Sequence, residues 1–171
     1  MILPLLLQAA VPAAAAPATP WATRERVDQA TGAKSTTASV LARDGRARLS
    51  LRCDAQVPVV SVQYIPGTAL GASDDRPVSM SFDGAAPLTF DWEFPGNAAF
   101  VRDTPQVTAL TVAMASAKTI KVHALSLTNA DVDATFDGPP SAGAVSAVLT
   151  ACGYTLGQVP LEKEPAAAAP K

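Results

Sequence analysis

The chain has two cysteines, Cys53 and Cys152, and their separation of about a hundred residues limits its possible folds more than any other feature. A disulfide between them would tie the middle of the sequence to a point near its C-terminal end. In the chain-entropy treatment, closing a loop of roughly 100 residues stabilises a fold by up to about 4.7 kcal/mol. The alternative is two buried thiols that are not linked. An oxidising compartment favours the bond, so the destination of the chain decides between the two.

The first 18 residues predict that destination. An apolar block at residues 2–11 is followed by a run of small residues at 13–18, which is the arrangement of a secretory signal peptide cut near Ala18. No Lys or Arg precedes the block, so a disordered arm or a short buried helix is the alternative. The block is shorter than the roughly 20 apolar residues that cross a bilayer. We therefore expect a periplasmic or secreted protein that has no stable membrane span once residues 1–18 are removed, and in which the two cysteines are paired.

The rest of the chain is expected to form one domain at residues 19–156. A disordered tail at 157–171 should follow it, because the end of the sequence is polar and rich in Ala and Pro. The net charge is −2 and the isoelectric point is about 5.3. Nucleic-acid binding depends on clustered Lys and Arg, and the sequence contains no basic patch of that kind. We therefore predict no nucleic-acid partner.

Alternating apolar and polar residues dominate the domain and predict β-strands. Residues 47–53 place every second, apolar residue on one side, including Cys53, and residues 88–94 alternate in the same way. Asp-Gly pairs at 44–45 and 83–84 predict hairpin turns, and the first fits a type I′ turn with positive φ at both residues. Hairpins join antiparallel strands. The expected class is therefore mainly β (α+β), an antiparallel β-sandwich-like sheet with a C-terminal helix packed on it.

Two segments repeat apolar residues at helical spacing instead. Residues 103–114 begin with an Asp-Thr-Pro sequence, which is typical of a helix entry. Residues 141–152 begin with a serine as the natural N-cap and end before Gly153, a common terminator. The apolar stripe of this second helix includes Cys152. We therefore expect the helix to lie over the sheet, where Cys152 reaches Cys53 on the inner face.

Few residues could carry chemistry. His123, the only histidine, falls on the outward phase of its strand, and nothing in the sequence marks a nucleophile or a carboxylate as its partner. Asp83, Asp91 and Glu93 on the 83–93 hairpin are the candidates for a hydrolase with paired carboxylates, although exposed acidic residues on an outer strand face are far more common. The cysteines and the histidine lack the clustered spacing of a zinc site. We predict no catalytic residue, no cofactor and no metal.

A set of short motifs spans most of the domain. In chain order they are Trp21 at the mature start, Leu49-Ser50-Leu51-Arg52-Cys53 on a strand, Phe82-Asp83-Gly84 at a strand end, Phe136-Asp137-Gly138 before a helix, and Ala151-Cys152-Gly153-Tyr154 at its close. This order resembles the type VI secretion-associated accessory proteins of the VasI/TagO kind over about residues 21–154. In that family a Phe-Asp-x-x-Gly segment leads to the helix, whereas Gly138 here follows Asp137 directly. The invasion-associated locus B family, also exported and mainly β, is a more distant likeness.

The resemblance implies a small periplasmic accessory domain without known catalytic residues, and it carries over the two cysteines as a disulfide. We therefore expect an exported, non-enzymatic accessory or binding domain that meets one or more envelope proteins. One alternative is an envelope-acting hydrolase that uses the carboxylates of the 83–93 hairpin. Another is a structural protein–protein interaction module that exposes an edge strand. A pocket lined by clustered carboxylates would favour the enzyme, and a flat face with an apolar patch would favour the interaction module.

Overall fold

A computed structural model of the chain describes residues 20–158, and these residues contain nine strands and two helices. The elements are β1 Ala22–Val27, β2 Lys34–Leu41, β3 Arg48–Asp54, β4 Val59–Ile65, β5 Ser73–Phe82, β6 Leu88–Phe94, β7 Ala99–Val101, α1 Thr104–Ser116, β8 Thr119–Leu125, β9 Asp131–Asp137 and α2 Gly143–Ala151. The predicted signal peptide at residues 1–18 lies outside the described residues. So does the predicted tail, apart from Gly157 and Gln158.

All nine strands belong to one sheet, in the order β1-β2-β3-β4-β7-β6-β5-β8-β9, and every pair is antiparallel. The sheet curls, so that Tyr64 on β4 and Phe136 on β9 meet edge to face with their ring centroids 6.3 Å apart. The mainly β, antiparallel α+β class is therefore confirmed. The sandwich-like character comes from one continuous sheet folding over its own core.

The core lies on the concave face, and period-two alternation places it there. On β3, Leu49, Leu51 and Cys53 are fully buried, while Arg48 and Arg52 are exposed on the convex face. The other inner strands repeat this pattern of burial. A one-residue slip would turn a whole apolar set towards solvent, so the pattern fixes the register.

The two Asp-Gly turns differ. Asp83 and Gly84 have φ values of 52° and 79°, and the N–H of Ala85 bonds the carbonyl of Phe82, as in a type I′ turn, here within the connection from β5 to β6. At the first turn only Gly45 has a positive φ (73°), and its N–H donates to the carbonyl of Ala42. The type I′ prediction for residues 44–45 is therefore wrong. The Asp44 carboxylate accepts the N–H of Arg46 (2.9 Å), and this bond supports the alternative loop.

The C-terminal helix packs on β2 and β3, as predicted, and the Cys53–Cys152 disulfide joins it to the sheet with a Cα–Cα distance of 5.7 Å. The helix begins two residues later than predicted, at Gly143, and Ser141 does not act as its N-cap. The Ser141 hydroxyl instead accepts the N–H of Gly143. Gly153, with a φ of 75°, ends the helix. Within residues 20–158 no helix is long and apolar enough to cross a membrane.

Candidate functional site

A cleft opens where the two ends of the curled sheet approach each other without closing. The N–H of Arg43, just after β2, donates to the carbonyl of Thr135 on β9 (2.8 Å), and the indole N–H of Trp21 donates to the carbonyl of Asp137 (2.9 Å). Further along β9, towards Asp131, the two ends separate. The resulting open-end cleft has a volume of about 470 Å³, which lies within the usual range for ligand sites. Its walls are the β2–β3 turn, the β4–β5 loop, the β8–β9 turn and the start of β9.

One wall of the cleft is the outer backbone edge of β9. In an antiparallel strand the N–H and C=O of alternate residues point to the same side. The carbonyls of Thr135 and Asp137 point away from β8, towards Arg43 and Trp21. Asp133 is two residues before Thr135, so its N–H and C=O also point away from β8, into the cleft. No turn or loop backbone group in the described part of the chain bonds them. The cleft therefore contains a short stretch of unpaired strand.

The charge of the cleft is negative. Three carboxylates line it, Asp44, Asp131 and Asp133, against one cation, Arg46. Asp133 also contacts the Nδ1 atom of His123 on the convex face (2.9 Å). The electrostatic energy of two nearby charges is favourable when their signs differ and unfavourable when they are alike. The cleft therefore favours a cationic ligand over an anionic one.

Tyr64 lies at the floor of this cleft with its side chain fully buried, and its hydroxyl has no hydrogen-bond partner among the described residues. Burial raises the pKa of Tyr64 to about 12, and the negative charges of Asp133 and Asp44 add to the shift. The phenol therefore stays protonated at neutral pH and acts as a donor. A buried donor without an acceptor costs the fold about 1–3 kcal/mol.

Removing this hydroxyl should not destabilise the protein. We expect Tyr64→Phe to be as stable as the wild type at pH 7, or more stable by about 1 kcal/mol. Above pH 10 the unfolded wild type loses the Tyr64 proton while the folded state keeps it until about pH 12. The unfolded state then binds fewer protons, so stability should fall by roughly 2–3 kcal/mol across that window, and Tyr64→Phe should lack this fall. Urea unfolding at pH 7 and pH 11.5 measures both.

The other tyrosine gives the matched control. Tyr154 donates its hydroxyl to the carbonyl of Pro58, so Tyr154→Phe should lose about 1 kcal/mol at pH 7. A Tyr64→Phe protein that loses as much as Tyr154→Phe would contradict the unpartnered state of Tyr64.

Arg76 fixes the opposite wall of the cleft. Its guanidinium donates to the carbonyls of Leu70 and Gly71 (3.2 Å each) and of Leu125 (2.9 Å). It also lies 4.0 Å from the centroid of the Phe94 ring, within cation–π distance. One side chain thereby ties the β4–β5 loop to the end of β8 and holds this wall of the cleft in place.

Loss of this clamp should loosen the loop. We expect Arg76→Ala to lower the free energy of unfolding by about 2–3 kcal/mol, because three carbonyls lose a charged donor. Amide exchange at residues 67–71 should accelerate more than exchange in the core strands. Arg48→Ala is the control, since Arg48 is exposed and should cost less than about 0.5 kcal/mol. Unchanged exchange at 67–71 would contradict the role assigned to Arg76.

The structure separates Asp83 from the other two predicted hairpin carboxylates, Asp91 and Glu93, which share one face of β6. Asp83 accepts the N–H groups of Lys118 and Thr119 (2.9 and 2.8 Å), so it holds the connection from α1 to β8. Asp91 pairs with Pro77 in the register of β5 and β6, six residues from Asp83, or about 20 Å along the strand. Glu93 is bound by the guanidinium of Arg102 (2.8 and 2.9 Å).

His123 lies on the convex face, as predicted, in a row with Ser79 on one neighbouring strand and Asp133 on the other. Its Nδ1 contacts Asp133, as an oriented catalytic base would. Its Nε2, however, lies 3.9 Å from Asp131, and the Ser79 hydroxyl bonds that of Thr89 (2.7 Å) on the far side. Proton transfer needs a bond between serine and histidine, and this row has no such bond.

Sequence reasoning missed the cleft. It singled out neither Tyr64 nor Arg76, and Arg76 lies near the start of β5, beside an irregularity between Ser73 and Arg76. The one available signal was a tyrosine at an inward position of β4, since a buried tyrosine hydroxyl ordinarily needs a partner.

Similarity to characterised proteins adds no assignment. A scan of protein-family models finds no match, and searches of the curated proteins and of the solved structures find none either. Within residues 20–158 no group of three His, Cys, Asp or Glu side chains is arranged to hold a metal ion.

Proposed function

We propose that the protein is an exported, non-enzymatic accessory domain of the bacterial envelope and that it binds its partner in the open-end cleft. One observation carries the binding part of this proposal: the Tyr64 hydroxyl, at the floor of the cleft, is a buried donor without an acceptor among the described residues. Folded proteins satisfy nearly all buried polar groups, and an exception calls for an explanation. A ligand that supplies the acceptor provides one.

Two further features support export. Residues 1–18 have the pattern of a signal peptide. The Cys53–Cys152 bond is compatible with an oxidising compartment, where such bonds persist. An accessory role is also what the resemblance to secretion-associated periplasmic proteins implies.

The acidic lining makes a carboxylate-dependent hydrolase the second candidate, with Asp44 and Asp133 in place of the 83–93 hairpin. A general acid of that kind has its pKa raised in apolar surroundings. Asp44 and Asp133 are instead exposed, and each already has a local partner, the Arg46 N–H for Asp44 and His123 for Asp133. Their placement favours binding over acid–base catalysis.

The test follows the full-length chain through export and then measures binding. In a Gram-negative host, N-terminal sequencing should find a start between Ala16 and Trp21 in the periplasmic fraction. The labelled mature protein, titrated with an envelope extract, should show amide shifts at 67–71 and 126–133. The same titration of Tyr64→Phe should give weaker shifts. Retention of Met1 in the cytoplasm would contradict export, and shifts that avoid the cleft would contradict the binding site.

A further inference from the structure

We infer that the open-end cleft takes an extended basic peptide segment of another protein, which adds as a strand to the free edge of β9. This inference rests on the proposed binding role of the cleft and names the class of its occupant. Three independent features of the cleft point to it, namely its unpaired backbone, its charge and its unpartnered hydroxyl.

The backbone edge selects an extended chain. Residues Thr135 and Asp137 of β9 already give their outward carbonyls to Arg43 and Trp21. The next residue of the same parity, Asp133, turns its N–H and C=O into the cleft. Strand addition uses such a pair of backbone groups, since a peptide in extended conformation presents a matching N–H and C=O at every second residue.

The side chains select a basic sequence. Asp131 and Asp133 point from the same face of β9 at a spacing of two, and Asp44 faces them from the β2–β3 turn. Side chains of an extended peptide also alternate with a period of two. Lysine or arginine at every second position would therefore lie beside these carboxylates, whereas glutamate would be repelled.

Tyr64 adds a donor beneath the cleft, which a peptide carbonyl reaches when the side chains that cover the hydroxyl move aside. Its buried hydroxyl keeps its proton at neutral pH, as its raised pKa requires, and the carbonyl of a peptide group is a suitable acceptor. A simple amine has no acceptor when protonated and cannot satisfy it. The combination therefore distinguishes a peptide from a small cationic molecule.

The probe is a five-residue peptide with a fluorophore on its N-terminus, fluorophore-Lys-Val-Lys-Val-Lys-amide, titrated into the oxidised mature protein. Three competitors separate the contributions: the Glu-for-Lys peptide, the same basic peptide with N-methylated backbone amides, and 1,5-diaminopentane. We expect binding of the basic peptide, with at least about tenfold weaker binding of all three competitors. The amide of Asp133 should shift on binding, because it gains an acceptor.

Three variants test the assigned residues. Asp44→Asn with Asp133→Asn should weaken peptide binding at least about tenfold, and Tyr64→Phe about threefold or more. Asp91→Asn is the matched control, since it removes the same charge from an exposed carboxylate on β6 and should leave binding unchanged. Amide spectra of each variant confirm its fold.

Each remaining outcome overturns the inference in a recognisable way. Equal binding of the N-methylated peptide or of the diamine would show that charge alone acts. Concentration-dependent shifts at the cleft without peptide would identify a second copy as the occupant, for instance through the exposed strand β1 with Arg24 and Arg26. Amide shifts at the cleft with envelope extract, but none with the basic peptide, would refute the peptide as occupant and leave the binding role intact. No shift in either titration would refute both proposals.

Discussion

Replacing both cysteines, Cys53→Ala with Cys152→Ala, is expected to lower the free energy of unfolding by about 3–4 kcal/mol. The bond closes a loop whose ends are separated by 99 positions in the sequence, and a cross-link over roughly 100 residues removes a large entropy from the unfolded chain. A domain of ordinary stability has about 5–15 kcal/mol in total. The loss would therefore leave the variant marginally folded.

The position of the bond predicts where the structure would loosen first. Cys53 is fully buried at the end of β3, and Cys152 immediately follows α2, whose buried residues are Val145, Val148 and Leu149. Without the bond, those three side chains hold the nine-residue helix to the sheet. Loss of the bond should therefore accelerate amide exchange more in α2 than in the core strands.

Urea unfolding of the oxidised, reduced and doubly substituted proteins measures the effect. The reduced wild type and the double variant should agree within about 1 kcal/mol, and both should show a larger dependence on urea because their unfolded chains are more expanded. A loss below about 1 kcal/mol in both would contradict a stabilising role for the bond.

The strands and the disulfide could be predicted because their determinants are local. Alternation in β3 gives the inner face on which Cys53 lies, and the apolar stripe of the last helix gives the face of Cys152. With two cysteines only one intramolecular pairing exists. Turn geometry was harder to predict, since two identical Asp-Gly pairs form two different turns. The Asp44 side chain bonds the N–H of Arg46 in its own loop, whereas Asp83 bonds the N–H of Lys118 before β8.

The cleft could not be predicted because its parts come from distant stretches of the sequence. Arg76 binds the carbonyl of Leu125, 49 positions away, and the carboxylates near Tyr64 belong to the β2–β3 turn and to β9. Asp44 and Asp133 line one cleft only because the sheet curls and brings its two ends together. The same curling leaves part of the β9 edge without a partner, and no pattern within the strand itself reports that.

Of the ten glycines, Gly138 leaves the least room for an added Cβ atom. A Cβ atom at this position would lie 1.7 Å from the carbonyl oxygen of Ala117 and 3.1 Å from the amide nitrogen of Lys118. The obstructing atoms belong to the backbone of Ala117 and Lys118, and two hydrogen bonds fix Lys118 in place. Its carbonyl accepts the N–H of Gly138 (2.8 Å), and its own N–H donates to the Asp83 carboxylate (2.9 Å). The segment cannot withdraw without breaking these bonds.

Gly138→Ala is therefore expected to cost about 3 kcal/mol or more, since overpacking against fixed neighbours is at the upper end of its usual range. This corresponds to a fall of about 10 °C in Tm for a domain of this size, or to loss of soluble protein. Gly96→Ala is the matched control, because its Cβ meets open space and the alanine restricts the unfolded chain. It should be neutral or stabilising. A Gly138→Ala protein that melts within 3 °C of the wild type would show that the α1–β8 connection yields, and Asp83 would then not hold it as assigned.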